Sequence, residues 1–276
     1  MLNIKPELKK ILKESFGGHH NYQRNLLRQH LQLVILDYLY SHPKYQILIF
    51  YGGSCLAQCY NLPRLSEDLD FIDKTKKMKL SVLAEELQNY FDTKTDLSVK
   101  VKVQKFRLYL KFAILHELKL ATPSESDLLF LKIEIFPNLQ FKTKQDEQII
   151  SIYKQNKVIL IRTLNLQTLM ASKIGAILNR QWVKTDKTGK TIINTKGRDY
   201  FDLQWYLQKN IHPNLKWLPE INNIQELKKM LLKKINKLDE KDIQLDLEGF
   251  ISDKKLVKNL SINLKKMLIN GIDNLV

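Results

Sequence analysis

Two short segments of this chain carry residue types that handle phosphate. They are Gly52-Gly53-Ser54 and the Asp68, Asp70 pair within Glu67-Asp-Leu-Asp-Phe-Ile72. Glycine lets a backbone come close to phosphate oxygens, and the exposed amides at a helix start supply the attraction. The run from Gln46 to Tyr51 is apolar and β-branched, so Gly52-Gly53 is expected to end a buried strand and Ser54 to open a helix. In the second segment Leu69 and Phe71 alternate with Asp68 and Asp70, which reads as a strand with one apolar and one acidic face. Two strand residues rise by roughly 6.6 Å, so the carboxylates can converge on one hard cation or a pair of them. An isolated Asp-x-Asp also fits a solvated strand end. Aspartate is depleted in strands and two on one face repel, so the coupling to the glycine turn favours a metal site.

A third acid follows in Leu128-Leu-Phe-Leu-Lys-Ile-Glu-Ile-Phe136, where Lys132 and Glu134 are the polar residues of an apolar run. This reads as a central strand. Beside the Asp68/Asp70 strand, at an interstrand spacing of about 4.8 Å, it would bring Glu134 to the same metals. The alternative is a surface strand whose Lys132 and Glu134 face water.

Further along, Lys173 and Arg180 share a helix face with Ile177 between them. From residue 173 to 198 the basic residues are Lys173, Arg180, Lys184, Lys187, Lys190, Lys196 and Arg198, against Asp186 as the one acid, a balance suited to phosphate. Asp199 and Asp202 then lie three apart at the start of the next helix, which also fits an acidic first turn favoured by the helix dipole.

The elements that must position these residues are read from periodicity. Helices are expected over 5–16 and 21–41, the second with Leu26, Leu27, Leu31, Val34, Ile35 and Leu39 on one stripe. His19-His20 beside Gly17-Gly18 mark the loop between them. After the strand, turn, helix and strand above, an amphipathic helix is expected over 79–92 and further strands over 97–106, 108–118 and 128–136. A connecting stretch with a short strand near 158–161 follows. Residues 165–180, 198–209, 224–237 and 254–269 are helical in spacing, and 183–197 is a polar, glycine-bearing loop. The expected architecture is mixed α/β: a sheet flanked by helices over residues 1–160, then a helical domain over 161–276.

The 276 residues allow a substantial core. No run of eighteen apolar residues is present, which excludes a helical membrane span, and the lysine-bearing start is unlike a secretory signal. A cytoplasmic protein is expected. Cys55 and Cys59, four apart on the helix after Ser54, read as small apolar residues and not as a zinc site. The formal charge of +16, from 45 basic and 29 acidic residues, suits a polyanionic partner such as nucleic acid.

The ordered set of Gly52-Gly53-Ser54, Arg64-Leu-Ser-Glu-Asp-Leu-Asp-Phe71, Ile133-Glu134-Ile135, Lys173 to Arg180 and Arg198-Asp199-Tyr-Phe-Asp202-Leu resembles the AbiEii/AbiGii-type nucleotidyltransferases of the DNA polymerase beta-like superfamily. The resemblance spans about residues 46–208. It implies the same two-part architecture and a toxin of a toxin–antitoxin or phage-abortive system. Members of the related MenT group add nucleotides to the 3′ end of tRNA. Carried over, Gly52, Gly53 and Ser54 hold a nucleoside triphosphate, with Arg64, Ser66 and Arg180 fitting the pattern in less fixed roles. Asp68 and Asp70 coordinate magnesium or manganese, and Glu134 joins them as a ligand or acts as a base. Lys173 contacts the triphosphate, and Asp199 is the acid at the start of the late helix. The implied partners are a nucleoside triphosphate, an RNA acceptor such as tRNA, and an antitoxin. Two other readings stand beside this one: transfer to a protein or small molecule, and a nucleic-acid-binding protein whose site has decayed.

Overall fold

The computed structural model describes residues 1–15, 19–137, 146–155, 157–180, 183–185, 188–189 and 191–275. They divide into two compact units, Met1–Thr163 and Leu164–Val276.

The first unit is built on a seven-stranded mixed sheet. Its elements are α1 (Ile4–Glu14), α2 (His20–Ser41), β1 (Ile49–Tyr51), α3 (Gly52–Cys59), β2 (Leu69–Asp73), α4 (Leu80–Lys94), β3 (Lys100–Gln104), β4 (Arg107–Ala113), β5 (Leu128–Pro137), β6 (Glu147–Lys154) and β7 (Lys157–Leu164). The strand order is β3-β4-β5-β2-β1-β7-β6. β2 runs parallel to β5 and antiparallel to β1, so both acid-bearing segments lie mid-sheet, where strands are held on two sides. The apolar positions make the core: Phe50 stacks on Phe71 at 5.2 Å between ring centroids, and Phe91 meets Phe112 edge-on at 5.1 Å. The α2 stripe is buried at Leu27, Leu31, Val34, Ile35 and Leu39. Asp96 ties down the start of α1, its carboxylate accepting from Ile4 N at 2.7 Å.

The mixed α/β fold is the one expected, with local differences. β1 is shorter than the apolar run before Gly52, because Tyr45 N donates to His42 O and Leu48 N to Tyr45 O, each at 3.0 Å, closing turns there. The helix opens at Gly52 and not at Ser54. β6 occupies part of the stretch expected to be a connection, and β7 is longer than the short strand expected at 158–161. The glycines at 17 and 18 lie outside the described residues.

The second unit contains α5 (Leu166–Asn179), a small antiparallel pair β8 (Lys184–Thr185) and β9 (Thr191–Ile193), α6 (Gly197–Gln208), α7 (Ile224–Ile235), α8 (Glu240–Leu247) and α9 (Lys254–Asp273). The starts of α5, α7, α8 and α9 carry side-chain caps: Asn165, Asn223, Asp239 and Asp253 each accept a backbone N–H of the first turn. β8, β9 and α8 were not expected from periodicity; of the basic loop, Asp186, Lys187 and Lys190 lie outside the described residues.

Charge ties α5 to α6. Lys173 Nζ lies 2.8 Å from Asp199 Oδ1 and 2.8 Å from Asp202 Oδ2, and Arg180 reaches Asp199 Oδ2 at 3.1 Å. Asp202 is fully buried and Asp199 nearly so. Burial alone would push the Asp199 carboxyl up, yet Lys173, Lys196 and Arg180 overcome it and hold the group well below the usual carboxylate range. A carboxyl depressed in the folded state stabilises above its unfolded pKa and loses that contribution as pH falls through the folded value. Stability should therefore hold down to about pH 4 on this account and fall below it. Asp199→Asn should lower stability at pH 7 by about 3 kcal/mol and flatten the acid limb, because it leaves Lys173 and Arg180 under-compensated. Urea unfolding across pH 2–7 measures both; an unchanged acid limb in the variant would remove the ion pairs from the account of how α5 and α6 are held.

Candidate active site

At the end of β1 the chain turns directly into α3, and the turn lies against Asp70 of β2. Gly52 has φ +80°, and a Cβ there would come within 2.4 Å of Asp70 Oδ2. Only glycine satisfies both the dihedral and the space. The register explains the approach, since Tyr51 is the cross-strand partner of Asp70. At Gly53 a Cβ would meet the Arg64 guanidinium at 2.8 Å and Ser66 Oγ at 3.1 Å. Arg64 donates to Leu65 O at 2.7 Å and is almost wholly buried, as is Ser66. Ser54 is fully buried; its hydroxyl donates to the carbonyl of Asp68 and lies 3.3 Å from Ser66 Oγ. The Ser54 side chain thus fastens the entrance of β2 to α3, and its hydroxyl is turned toward the protein.

Asp70 is the parallel cross-strand partner of Glu134. Lys132, two residues before Glu134 and so on the same face of β5, bridges the acids: its Nζ lies 3.0 Å from Asp68 Oδ2 and 2.8 Å from Glu134 Oε1. Arg107, the antiparallel partner of Glu134, places Nε 2.7 Å from the same glutamate oxygen. Burial pushes the Asp68 carboxyl up; Lys132 opposes the rise, while Glu67 and Glu134 add to it. Burial likewise works against the Lys132 charge, but Asp68 and Glu134 outweigh it and raise the ammonium above its ordinary value.

Asp68 and Asp70 offer hard oxygen donors of the kind magnesium and manganese take. The expected threefold convergence with Glu134 is not what the geometry presents. Among the described residues no three acidic, histidine or cysteine side chains form a group able to hold a metal ion. The physical reason is that Glu134 is already compensated by Lys132 and Arg107.

In the second unit Lys173, Arg180 and Asp199 do come together, with Asp202 as an added partner of Lys173. Lys196 joins them: burial lowers its pKa to about 8 against the pull of Asp199, with Arg198, Lys173 and Arg180 lowering it further. Cys55 is buried with Sγ 3.0 Å from Thr163 Oγ1, and both cysteines are free thiols, consistent with a packing role. The sequence pattern gave Lys132 no role at the site and did not single out Arg107. Lys132 was accessible from its two-residue spacing to Glu134, whereas Arg107 required the register of β4 on β5.

No significant match was found among curated proteins. Two solved structures from Helicobacter pylori resemble the chain: JHP933, with 21% identity over 91% of this chain and 93% of that one at a TM-score of 0.52, and a protein described as a candidate nucleotidyltransferase, with 21% identity over 90% and 96% at a TM-score of 0.51. At this identity they speak for the fold. The pattern of the nucleotidyl transferase AbiEii toxin family, from type IV toxin–antitoxin systems, matches residues 35–273. That span holds the glycine turn, the three acids, Lys132 and the Lys173 cluster, and the chain belongs to the AbiEii nucleotidyltransferase toxin family.

Proposed function

We propose that this nucleotidyltransferase transfers a nucleoside monophosphate from a nucleoside triphosphate to an RNA acceptor, the 3′ end of tRNA, and that it acts in the cytoplasm as a toxin restrained by a cognate antitoxin. The observation that carries the reading is the closeness of the Gly52 backbone to the Asp70 carboxylate, beside Asp68. A phosphate-binding turn and a cation-binding pair are thereby adjacent.

In the reaction the acceptor hydroxyl oxygen forms a bond to the α-phosphorus, the bond to the β-phosphate oxygen breaks, pyrophosphate leaves, and the hydroxyl proton is released. Magnesium bound at such a site neutralises triphosphate charge and orients the phosphates. Asp68 and Asp70 are the residues that would hold it. Gly52 and Gly53 keep the start of α3 free of side chains, so that its backbone amides can approach phosphate oxygens. Arg64 and Ser66, packed across Gly53, fix that turn, and Ser54 fixes Asp68 through its carbonyl. Glu134, engaged by Lys132 and Arg107, is assigned to holding those cations in place and not to the transfer itself. Within the second unit Lys173 and Arg180 are assigned to phosphate binding, as the family implies, with Asp199 and Asp202 orienting Lys173. The charge of +16 supports a polyanionic acceptor over a cationic small molecule.

Each labelled nucleoside triphosphate incubated with total RNA and magnesium should label a tRNA band; a labelled protein band instead would move the acceptor to a protein. Asp68→Ala should reduce transfer by at least about a thousandfold while the protein still melts cooperatively. Transfer by that variant at the wild-type rate would falsify the metal assignment. Gly52→Ala should also abolish transfer, and it should lower stability by about 2 kcal/mol, because a methyl group at positive φ meets the Asp70 carboxylate. Thermal melting beside the transfer assay reads both effects, and a Gly52→Ala protein as active as wild type would contradict the close-approach account.

A further inference from the structure

The carboxylate cluster carries a cation of its own. Lys132 Nζ is within ion-pair distance of two carboxylates at once, 3.0 Å from Asp68 and 2.8 Å from Glu134. Its side chain is 24% exposed, that of Glu134 11% and that of Asp68 37%, so the bridge is anchored at Glu134, shielded from the solvent that erases loose surface pairs, and is more open at Asp68. Arg107 secures the far partner by reaching the same Glu134 oxygen at 2.7 Å. The strands leave Lys132 little choice of place. It shares a face of β5 with Glu134, while the parallel pairing of β2 and β5 sets Asp70 beside Glu134 and brings the preceding Asp68 within reach of the Lys132 ammonium.

A divalent ion placed between Asp68 and Glu134 would need the oxygens that Lys132 holds, and it would meet an ammonium at close range. The ammonium repels a divalent ion twice as strongly as it would a monovalent one at the same separation, and it already neutralises part of the charge on the two carboxylates. We propose that Lys132 is a built-in cation of the transfer site, taking between Asp68 and Glu134 the place of a second divalent ion and leaving one ion to Asp68 and Asp70. This rests on the nucleotidyltransferase reading of those aspartates. Lys132 is a positioning residue: it acts through Asp68, whose carboxylate it holds in place when no ion is bound. Glu134 is its anchor and Arg107 the brace of that anchor.

The test uses manganese alone, without nucleotide, counted by the electron spin resonance of free Mn2+. Wild-type protein should bind one ion. Lys132→Met should bind Mn2+ about tenfold more tightly or take up a second ion, since a competing charge has left two carboxylates. Lys132→Met/Glu134→Gln should return toward wild type, because the freed glutamate is then gone. In EDTA, Lys132→Met should melt below wild type, and excess Mn2+ should restore it; a role in packing alone would lower both melts equally. Lys132→Gln, which keeps length and polarity, should give the same binding result and serves if the methionine variant folds poorly. Manganese binding that is neither tighter nor greater in number of ions in both single variants, or binding in the double variant that matches Lys132→Met, overturns the inference. Asp68→Asn and Asp70→Asn separate the two layers: undiminished Mn2+ binding in both would overturn the reading of the aspartates as cation ligands, whatever Lys132 does.

Discussion

Like charges on neighbouring strands are what the first unit has to accommodate. Asp70 and Glu134 are register partners in a parallel pair, and Asp68 stands at the entrance of the same strand. Strands are spaced by about 4.8 Å, so these carboxylates repel unless positive charge or hydrogen-bond donors intervene. The local structure supplies compensation from both sides. Lys132 and Arg107 engage Glu134, Lys132 also engages Asp68, and the backbone of Gly52 lies against Asp70. The end of β1 belongs to the same arrangement, for the chain leaves the sheet at Tyr51, the cross-strand partner of Asp70, and so brings the start of α3 beside that carboxylate. Ser54, Arg64 and Ser66 then pin the loop that leads into Asp68, so the acids are fixed by α3 as much as by the sheet.

The second unit solves the inverse problem, holding a lysine among carboxylates. Lys173 is nearly buried between Asp199 and Asp202, and Arg180 shares Asp199 from a more exposed position. Buried ion pairs are weak stabilisers relative to apolar packing of the same volume, because desolvation cancels most of the attraction. Their use at the junction of α5 and α6, where leucine or isoleucine would hold two helices equally well, is hard to explain by stability. It is easy to explain if the ammonium must be held at a set place with its charge intact, as a phosphate contact requires.

Most of the elements were legible in the residue pattern, and the exceptions have physical causes. The long helices and β5 carry enough periodic apolar residues for their faces to be unmistakable. β6 was missed because Ile149 and Tyr153 point outward and are exposed, which spoils the apolar-in, polar-out alternation of a half-buried strand. α8 was missed because eight residues with several acids give too short a stripe. The run before Gly52 looked like a longer strand because backbone turns between His42 and Leu48 leave no mark in hydrophobicity. At the site, residue types and spacing pointed to the glycines and to three acids, of which strand register sets Asp70 beside Glu134. They did not disclose how the acids are compensated, because the pairing of Arg107 and Lys132 with Glu134 depends on strand register.

That compensation changes what the acidic cluster means. Three convergent carboxylates read from sequence suggest a site that waits for metal to relieve its repulsion. With an ammonium already between Asp68 and Glu134, part of the repulsion is relieved in the folded chain, by a group that needs no dehydration and cannot diffuse away. The acids can then be held close together in the absence of ligand, and binding of an ion and a nucleotide meets a site whose geometry is already set. The cost is a fixed arrangement. A tethered lysine contributes one charge at one place, so under the proposal above a divalent ion would be left the side of the cluster where Asp70 lies against the glycine turn. It is there that the phosphates of a nucleotide would come closest to the backbone.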